Sequence, residues 1–140
     1  MSTAAAPMAP LQAAVHALLT GDAELSGQIT GVHDYVPEGT AYPYVVIGEA
    51  IETPNNRHRG LGRQTVLTLH VWSQYRGYGE ALAIGARVMA LLDHQPLTIT
   101  GLTHVSTRYE MGQTLTDPEP PGDIRHLVHR YRITTEQPTG

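Results

Sequence analysis

Apolar residues recur at every second position in some segments of the chain and at every third or fourth position in others. This pattern of spacings constrains the fold more than any other feature of the sequence. From Thr65 to Trp72, apolar and polar residues follow a period of two, which is typical of a β-strand with one buried face. From Ala81 to Leu92, apolar residues recur every three or four positions, as on an amphipathic helix. The period of two returns at 102–111 and at 127–134. Together these patterns predict helices packed on a sheet.

The remaining segments complete this prediction. Pro10 is well placed to open a first helix over 10–20, and Gly21 to end it. Residues 22–25 could add a short helical turn. Three further strands are predicted, at 32–35, 42–51 and 97–99.

The predicted order of elements is α-β-β-β-α-β-β-β. Hairpin connections dominate, so we expect an α+β fold with mainly antiparallel sheet(s) and two helices packed on one face. The predicted organisation is a single domain over 10–136, with flexible tails at 1–9 and 137–140.

Composition excludes several classes of function. The chain has 140 residues, which is enough for one hydrophobic core but not two. It contains no Cys, so disulfides and thiolate chemistry are excluded. Its net charge is -4, which disfavours nucleic acid as the primary ligand. We find no signal peptide and no apolar run long enough for a membrane span, and we expect a soluble protein made in the cytoplasm.

Catalytic and metal-binding motifs are missing from the sequence. His126 and His129 are the only close pair among eight histidines, and their spacing would put them on opposite faces of a strand. No serine lies in a nucleophile motif, and no Lys is present for a phosphate loop. We therefore expect no catalytic residue, no metal site and no cofactor.

A first charged loop interrupts the periodic pattern at 53–64. It contains Arg57, Arg59 and Arg63, three of the nine basic residues in the chain. Arginine forks bind carboxylates well, so the loop could be a docking arm for an acidic surface. It could equally be a solvated hairpin loop, and the sequence does not decide between these two interpretations.

A second charged loop, at 112–123, is acidic and rich in proline. It contains Asp117, Glu119 and Asp123. Opposite charges on two long loops would suit head-to-tail contacts between neighbours in a ring. The simpler alternative is an ordinary solvent-exposed loop.

Several segments, in this order and spacing, resemble the tail-terminator (tail-completion) family of long-tailed bacteriophages and gene transfer agents. The likeness spans about 10 to 136, and no one motif in it is decisive. The segments that carry the resemblance are Asp22–Leu25, Val32–Pro37, Tyr42–Gly48, Leu69–Ser73, Gly79–Ala81, Leu91–Asp93 and His129–Glu136.

The resemblance implies a structural role in the virion. Members of this family form a ring, typically a hexamer, on the finished tail tube. The ring stops polymerisation of the tail tube protein and offers a surface to the head-side connector or stopper protein, while genomic DNA passes through the lumen. The family implies no catalytic residues, so the expected protein is not an enzyme, and its expected location is the tail or neck of the virion.

Two alternatives stay open at this point. One is another neck or connector component of the same particle with a related α+β fold. The other is a small enzyme or ligand-binding protein, which would need a pocket of converging polar groups that the sequence does not predict.

Overall fold

A computed structural model of the protein describes residues 4–57, 60–117 and 122–138. These residues form three α-helices and five β-strands. In chain order the elements are α1 (Met8–Thr20), α2 (Ala23–Gln28), β1 (Val32–His33), β2 (Tyr44–Pro54), β3 (Gly62–Gln74), α3 (Gly79–Leu92), β4 (Thr103–Thr116) and β5 (Ile124–Glu136).

The strands form one sheet in the order β1-β2-β3-β5-β4. All neighbouring pairs are antiparallel except β1, which runs parallel to β2 over two residues. The β3–β5 pair is the longest regular ladder, running without interruption from Gly62 opposite Glu136 to Gln74 opposite Ile124. The sheet is therefore centred on β3 and β5, with the short β1 and the long β4 at its two edges.

The helices cover one face of this sheet, as the sequence predicts. Leu67, Leu69 and Val71 lie on the covered face of β3, as their alternation predicts, and all three are buried. The helical residues that pack into the same core are Leu11, Val15 and Leu19 of α1 and Ala81, Ile84, Val88 and Leu92 of α3. The α+β class and the packing of the two predicted helices on one face are confirmed.

A charged contact ties the helices to one another. The Asp22 side chain caps α2 by accepting a hydrogen bond from the Leu25 amide at 2.9 Å. Arg87 of α3 donates to both Asp22 oxygens, from Nε at 2.8 Å and from Nη2 at 2.6 Å. These hydrogen bonds, with that from Arg87 the largest cause, lower the pKa of Asp22 to about 2. The possible helical turn at 22–25 is thus a helix of its own.

The predicted strand at 97–99 is wrong. The segment between α3 and β4 belongs to no strand of the sheet, although Leu97 and Ile99 are buried in the core. Apolar and polar residues alternate here because Leu97 and Ile99 pack into the core from a connecting loop. Pro96 also has no amide to donate to a ladder. The observed order is therefore α-α-β-β-β-α-β-β.

The strands beside the two charged loops are longer than predicted. β2 continues to Pro54 and β3 begins at Gly62, which shortens the first loop to 55–61. β4 continues to Thr116, which shortens the second to 117–123. These polar residues belong to the strands because their backbones form ladder hydrogen bonds. The alternation of apolar and polar side chains does not reveal such extensions.

Candidate assembly surfaces

The arginine loop, residues 55–61 between β2 and β3, closes one end of the sheet. The Asn55 amide donates to the Gly62 carbonyl at 2.9 Å, and Arg57 and Gly60 exchange two backbone hydrogen bonds. A side chain at position 62 would overlap the Asn55 carbonyl oxygen, so glycine is required there. The described part of this loop is therefore a turn whose backbone conformation is fixed by hydrogen bonds.

The described arginines at this end are held by their own chain. Arg57 Nε lies 2.7 Å from Glu136 Oε1 at the end of β5, with 60% of the Arg57 side chain still exposed. Arg63 Nη1 donates to the Gly62 carbonyl at 2.9 Å and to Asn56 Oδ1 at 3.4 Å. Arg59 lies outside the described residues. The Arg57 pair with Glu136 was not predicted, because it depends on the pairing register of β3 and β5.

The acidic loop, residues 117–123 between β4 and β5, closes the opposite end of the sheet. The Asp117 amide donates to the Ile124 carbonyl at 3.1 Å, and the Asp123 carbonyl accepts from the Tyr75 amide at 2.8 Å. Arg125 Nη1 donates to the Gly122 carbonyl at 2.6 Å. Glu119 lies outside the described residues. The Asp117 end of this loop is thus held to the start of β5, and the Asp123 end is held to the residue that follows β3.

The two charged loops are far apart in one chain. The first joins β3 at Gly62, opposite Glu136, and the second joins β5 at Ile124, opposite Gln74. β3 is 13 residues long, and at about 3.3 Å per residue the loops lie roughly 40 Å apart. Opposite charges therefore stand at opposite ends of the sheet, where they cannot meet within one subunit.

A row of titratable side chains crosses the sheet face that the helices leave open. His70 Nε2 lies 2.6 Å from Glu49 Oε1, and His70 Nδ1 lies 2.6 Å from His126 Nε2. The Trp72 ring stacks on His126 with centroids 3.9 Å apart. His70 can donate to Glu49 while accepting from His126, which gives both ring nitrogens of His70 a partner.

The side chains of this row shift one another's pKa values. The hydrogen bond from His70 is the main cause that lowers the pKa of the Glu49 carboxyl. Burial, followed by the charge of His70, lowers the pKa of His126. The sequence did not reveal this row, since it brings together three strands whose register the sequence does not state.

The two histidines considered as a metal pair do lie on opposite faces. His129 is buried on the helix-covered face, where its Nδ1 lies 2.9 Å from the Tyr131 hydroxyl. His126 is on the open face against Trp72. In the part of the chain that the structure describes, no group of three or more His, Asp or Glu side chains is arranged to hold a metal ion.

No helix within the described ranges has the length and apolar character needed to cross a bilayer.

Residues 13–136 match the model of the family described as tail completion protein gp17. The chain belongs to this family. A curated member, tail completion protein gp17 of Bacillus phage SPP1, is 33% identical over 93 residues, which cover 66% of this chain and 67% of that protein. The family predicted by resemblance is therefore confirmed.

Two solved structures share the fold of this family member. A chain from the virion of a native gene transfer agent particle is 26% identical, with a TM-score of 0.84 over 95% of this chain and 99% of that chain. The gp17 protein of bacteriophage SPP1 is 28% identical, with a TM-score of 0.62 over 93% and 91% of the two chains. The similarity thus extends over nearly the whole chain.

Proposed function

We propose that this chain is a structural subunit of a long-tailed phage or gene transfer agent particle, and that six copies form a ring on the finished tail tube. The observation that carries this proposal is the similarity to a chain of an assembled gene transfer agent virion, at a TM-score of 0.84 over 95% of this chain. Agreement over nearly the whole length supports the proposal that surfaces used in that particle have counterparts here. The proposed location is the tail or neck of the virion.

The ring ends polymerisation of the tail tube protein and presents its other side to the head-side connector or stopper protein. Genomic DNA passes through the lumen without being bound. The net charge of -4 supports this part of the proposal, because a basic lumen would retain DNA through release of its counterions.

The proposed role is structural and not catalytic. Two titratable side chains at the groove between α3 and β4 already have partners inside the protein: Asp93 Oδ1 accepts from the Tyr109 amide at 2.8 Å, and His129 Nδ1 lies 2.9 Å from the Tyr131 hydroxyl. A general acid or base needs a proton-bearing atom directed at a substrate. Both groups stabilise the fold instead.

The charged loops are proposed as contacts between subunits. The six residues concerned are Arg57, Arg59 and Arg63 of the first charged segment of the sequence and Asp117, Glu119 and Asp123 of the second. Their separation of roughly 40 Å supports head-to-tail pairing, since each loop can reach its complement only on another copy. Arg57 would then exchange or share its present partner, Glu136.

Deletion of the gene, followed by electron microscopy of the particles, tests the proposed function. Loss of a terminator predicts tails of irregular and excessive length, because the tube continues to polymerise. Complementation in trans should restore a single tail length. Heads without tails beside tails of normal length would contradict termination, and would assign the chain to head–tail joining alone.

A further inference from the structure

The edge strand β4 offers a surface that its own chain leaves partly open. Near its middle, outward-facing groups are covered: the His94 amide donates to the Thr107 carbonyl at 2.9 Å, and the Tyr109 amide donates to Asp93 Oδ1 at 2.8 Å. Further along, residues 112–116 are exposed, and β4 is the last strand of the sheet on this side. This half of β4 is an exposed edge, the part of a sheet that commonly accepts a partner.

A groove of about 690 Å³, apolar along its α3 wall and polar along its β4 wall, runs between this half of β4 and α3. Leu82, Ala86 and Met89 of α3 form one wall, and residues 112–114 form the other. Leu82 is 49% exposed, so its side chain is available to a partner at this wall. The apolar wall can pack against an aromatic ring and the polar wall can bind a hydroxyl, a combination that suits tyrosine.

A second, more basic cleft of about 390 Å³ adjoins this groove across Gln95, which lines both. It is lined by His104 and Arg108, among others. Burial lowers the pKa of His104, so the permanent cation here is Arg108. The Arg108 guanidinium donates to the Thr107 carbonyl at 3.1 Å, and it lies exposed beside the groove.

The opposite edge of the molecule carries the complementary features. Tyr35, in the loop after β1, is 78% exposed, the highest value among the large apolar and aromatic side chains of the described residues. Exposed carboxylates flank it at Asp34 and Glu38. An aromatic ring between two carboxylates matches a groove that is apolar in one part and cationic beside it.

We propose that the segment Asp34–Glu38 of one copy docks at the β4 edge of the next, with Tyr35 in the groove between α3 and β4 and a carboxylate on Arg108. β1 and β4 are separated by four strand spacings, about 19 Å, so the two surfaces cannot meet within one chain. A contact between different surfaces on successive copies is heterologous, and it closes into a ring when the rotation allows. This inference rests on the proposed ring and gives it an interface across the strands, as an alternative to pairing of the charged loops along them.

The absence of cysteine in the natural sequence permits a clean cross-linking test. The full-length variant Tyr35→Cys/Leu82→Cys is oxidised and analysed on a non-reducing gel. Docking predicts a ladder of linked species that ends at the size of the closed ring and collapses on reduction. Each single variant can give a linked dimer at most, because it has one thiol.

Ile51→Cys/Leu82→Cys is the matched control, since Ile51 is 68% exposed and lies on β2, far from the proposed contact. The inference is overturned if rings form but both pairs give the same pattern, and the ring proposal then stands with another interface. If the wild-type chain stays monomeric with and without tail tubes, and no ladder appears, the ring and the interface fail together.

Charge reversal tests the ionic part of the contact separately. Arg108→Glu should weaken the association of subunits into rings about tenfold, as expected when like charges face each other at an interface. Adding Glu38→Arg or Asp34→Arg should recover most of that loss, and the thermal midpoint should stay unchanged because all three side chains are exposed. Unchanged association of Arg108→Glu would overturn the assignment of Arg108 to this interface.

Discussion

The helix-covered face of the sheet and the rim of the sheet are built from different kinds of contact. The covered face is apolar and closed, with Leu69, Val71 and Ile84 each no more than 2% exposed. The rim consists of two charged loops, a groove beside β4 and an exposed Tyr35. Burial on the covered face supplies stability to one chain, whereas the rim contains groups whose partners can come from a second chain. Substitutions in the two regions should therefore have separable effects.

The largest effect is expected in the core. Leu69→Ala removes a side chain that is 1% exposed and leaves a cavity, which should cost about 2–5 kcal/mol of unfolding free energy. Ile51→Ala is the matched surface variant, because Ile51 is 68% exposed, and it should change stability by no more than about 0.5 kcal/mol. Urea unfolding at one fixed chain concentration measures both. Similar losses in the two variants would show that Ile51 is covered, as it would be by a neighbouring subunit.

A second effect depends on pH and arises from buried histidine. Burial lowers the pKa of His129 below the ordinary histidine value of 6.5, so the unfolded chain binds more protons in acid than the folded chain does. Stability should therefore fall as pH drops below about 6.5, and burial of His104 and His126 acts in the same direction. His129→Gln should flatten part of this slope relative to the wild-type chain. Denaturation midpoints of both chains from pH 7.5 to 5 make the comparison, and equal slopes in the two would refute the role of His129.

A third effect belongs to the tie between the helices. The pKa of Asp22 is about 2, below its ordinary value of 3.8, because Arg87 and the Leu25 amide donate to its carboxylate. The stability from this contact is fully present above pH 4 and is lost as pH falls towards 2. Asp22→Asn should lower the thermal midpoint at pH 7 and reduce the loss between pH 4 and pH 2. Glu38→Gln, on the exposed rim, is the control and should follow the wild-type curve.

The smallest effect on stability is expected for the arginine loop. Replacing Arg57, Arg59 and Arg63 together with Ala removes the exposed pair with Glu136, and exposed pairs contribute about 0–1 kcal/mol. The fold should remain, while assembly of tails is impaired. Exposed Arg76→Ala is the control for loss of a cation elsewhere on the surface.

Reversal of both charged loops sharpens this last test. Arginine-to-glutamate changes at 57, 59 and 63 should block assembly, and arginine at 117, 119 and 123 in the same chain should restore it. Tails are counted by electron microscopy. Normal tail completion by the triple alanine variant would contradict a role for this loop.

The sequence predicted the interior of the molecule better than its rim. The alternation of Leu67, Leu69 and Val71 and the helical stripe of α3 reflect burial, and burial is recorded in residue type. Apolar alternation gave a wrong prediction at 97–99, because Leu97 and Ile99 are buried although they lie in a loop. Apolar spacing reports that a side chain is buried, but not which backbone element carries it.

Contacts at the rim depend on which residues of neighbouring strands are paired. The residue types alone do not give this pairing register. The His70 pair with His126 and the Arg57 pair with Glu136 each join residues more than 50 positions apart. The charge of both loops was visible in the sequence, but their position at opposite ends of one sheet was not. That position is what turns two charged loops into a hypothesis about assembly.

We propose that this chain works as a closed ring of copies joined at the rim. Native mass spectrometry of the full-length protein, alone and after incubation with purified tail tubes, tests this ring most directly. A closed ring predicts one dominant species, a hexamer, that forms or is stabilised when tubes are present. A chain that stays monomeric at every concentration, with tubes and without them, would contradict it.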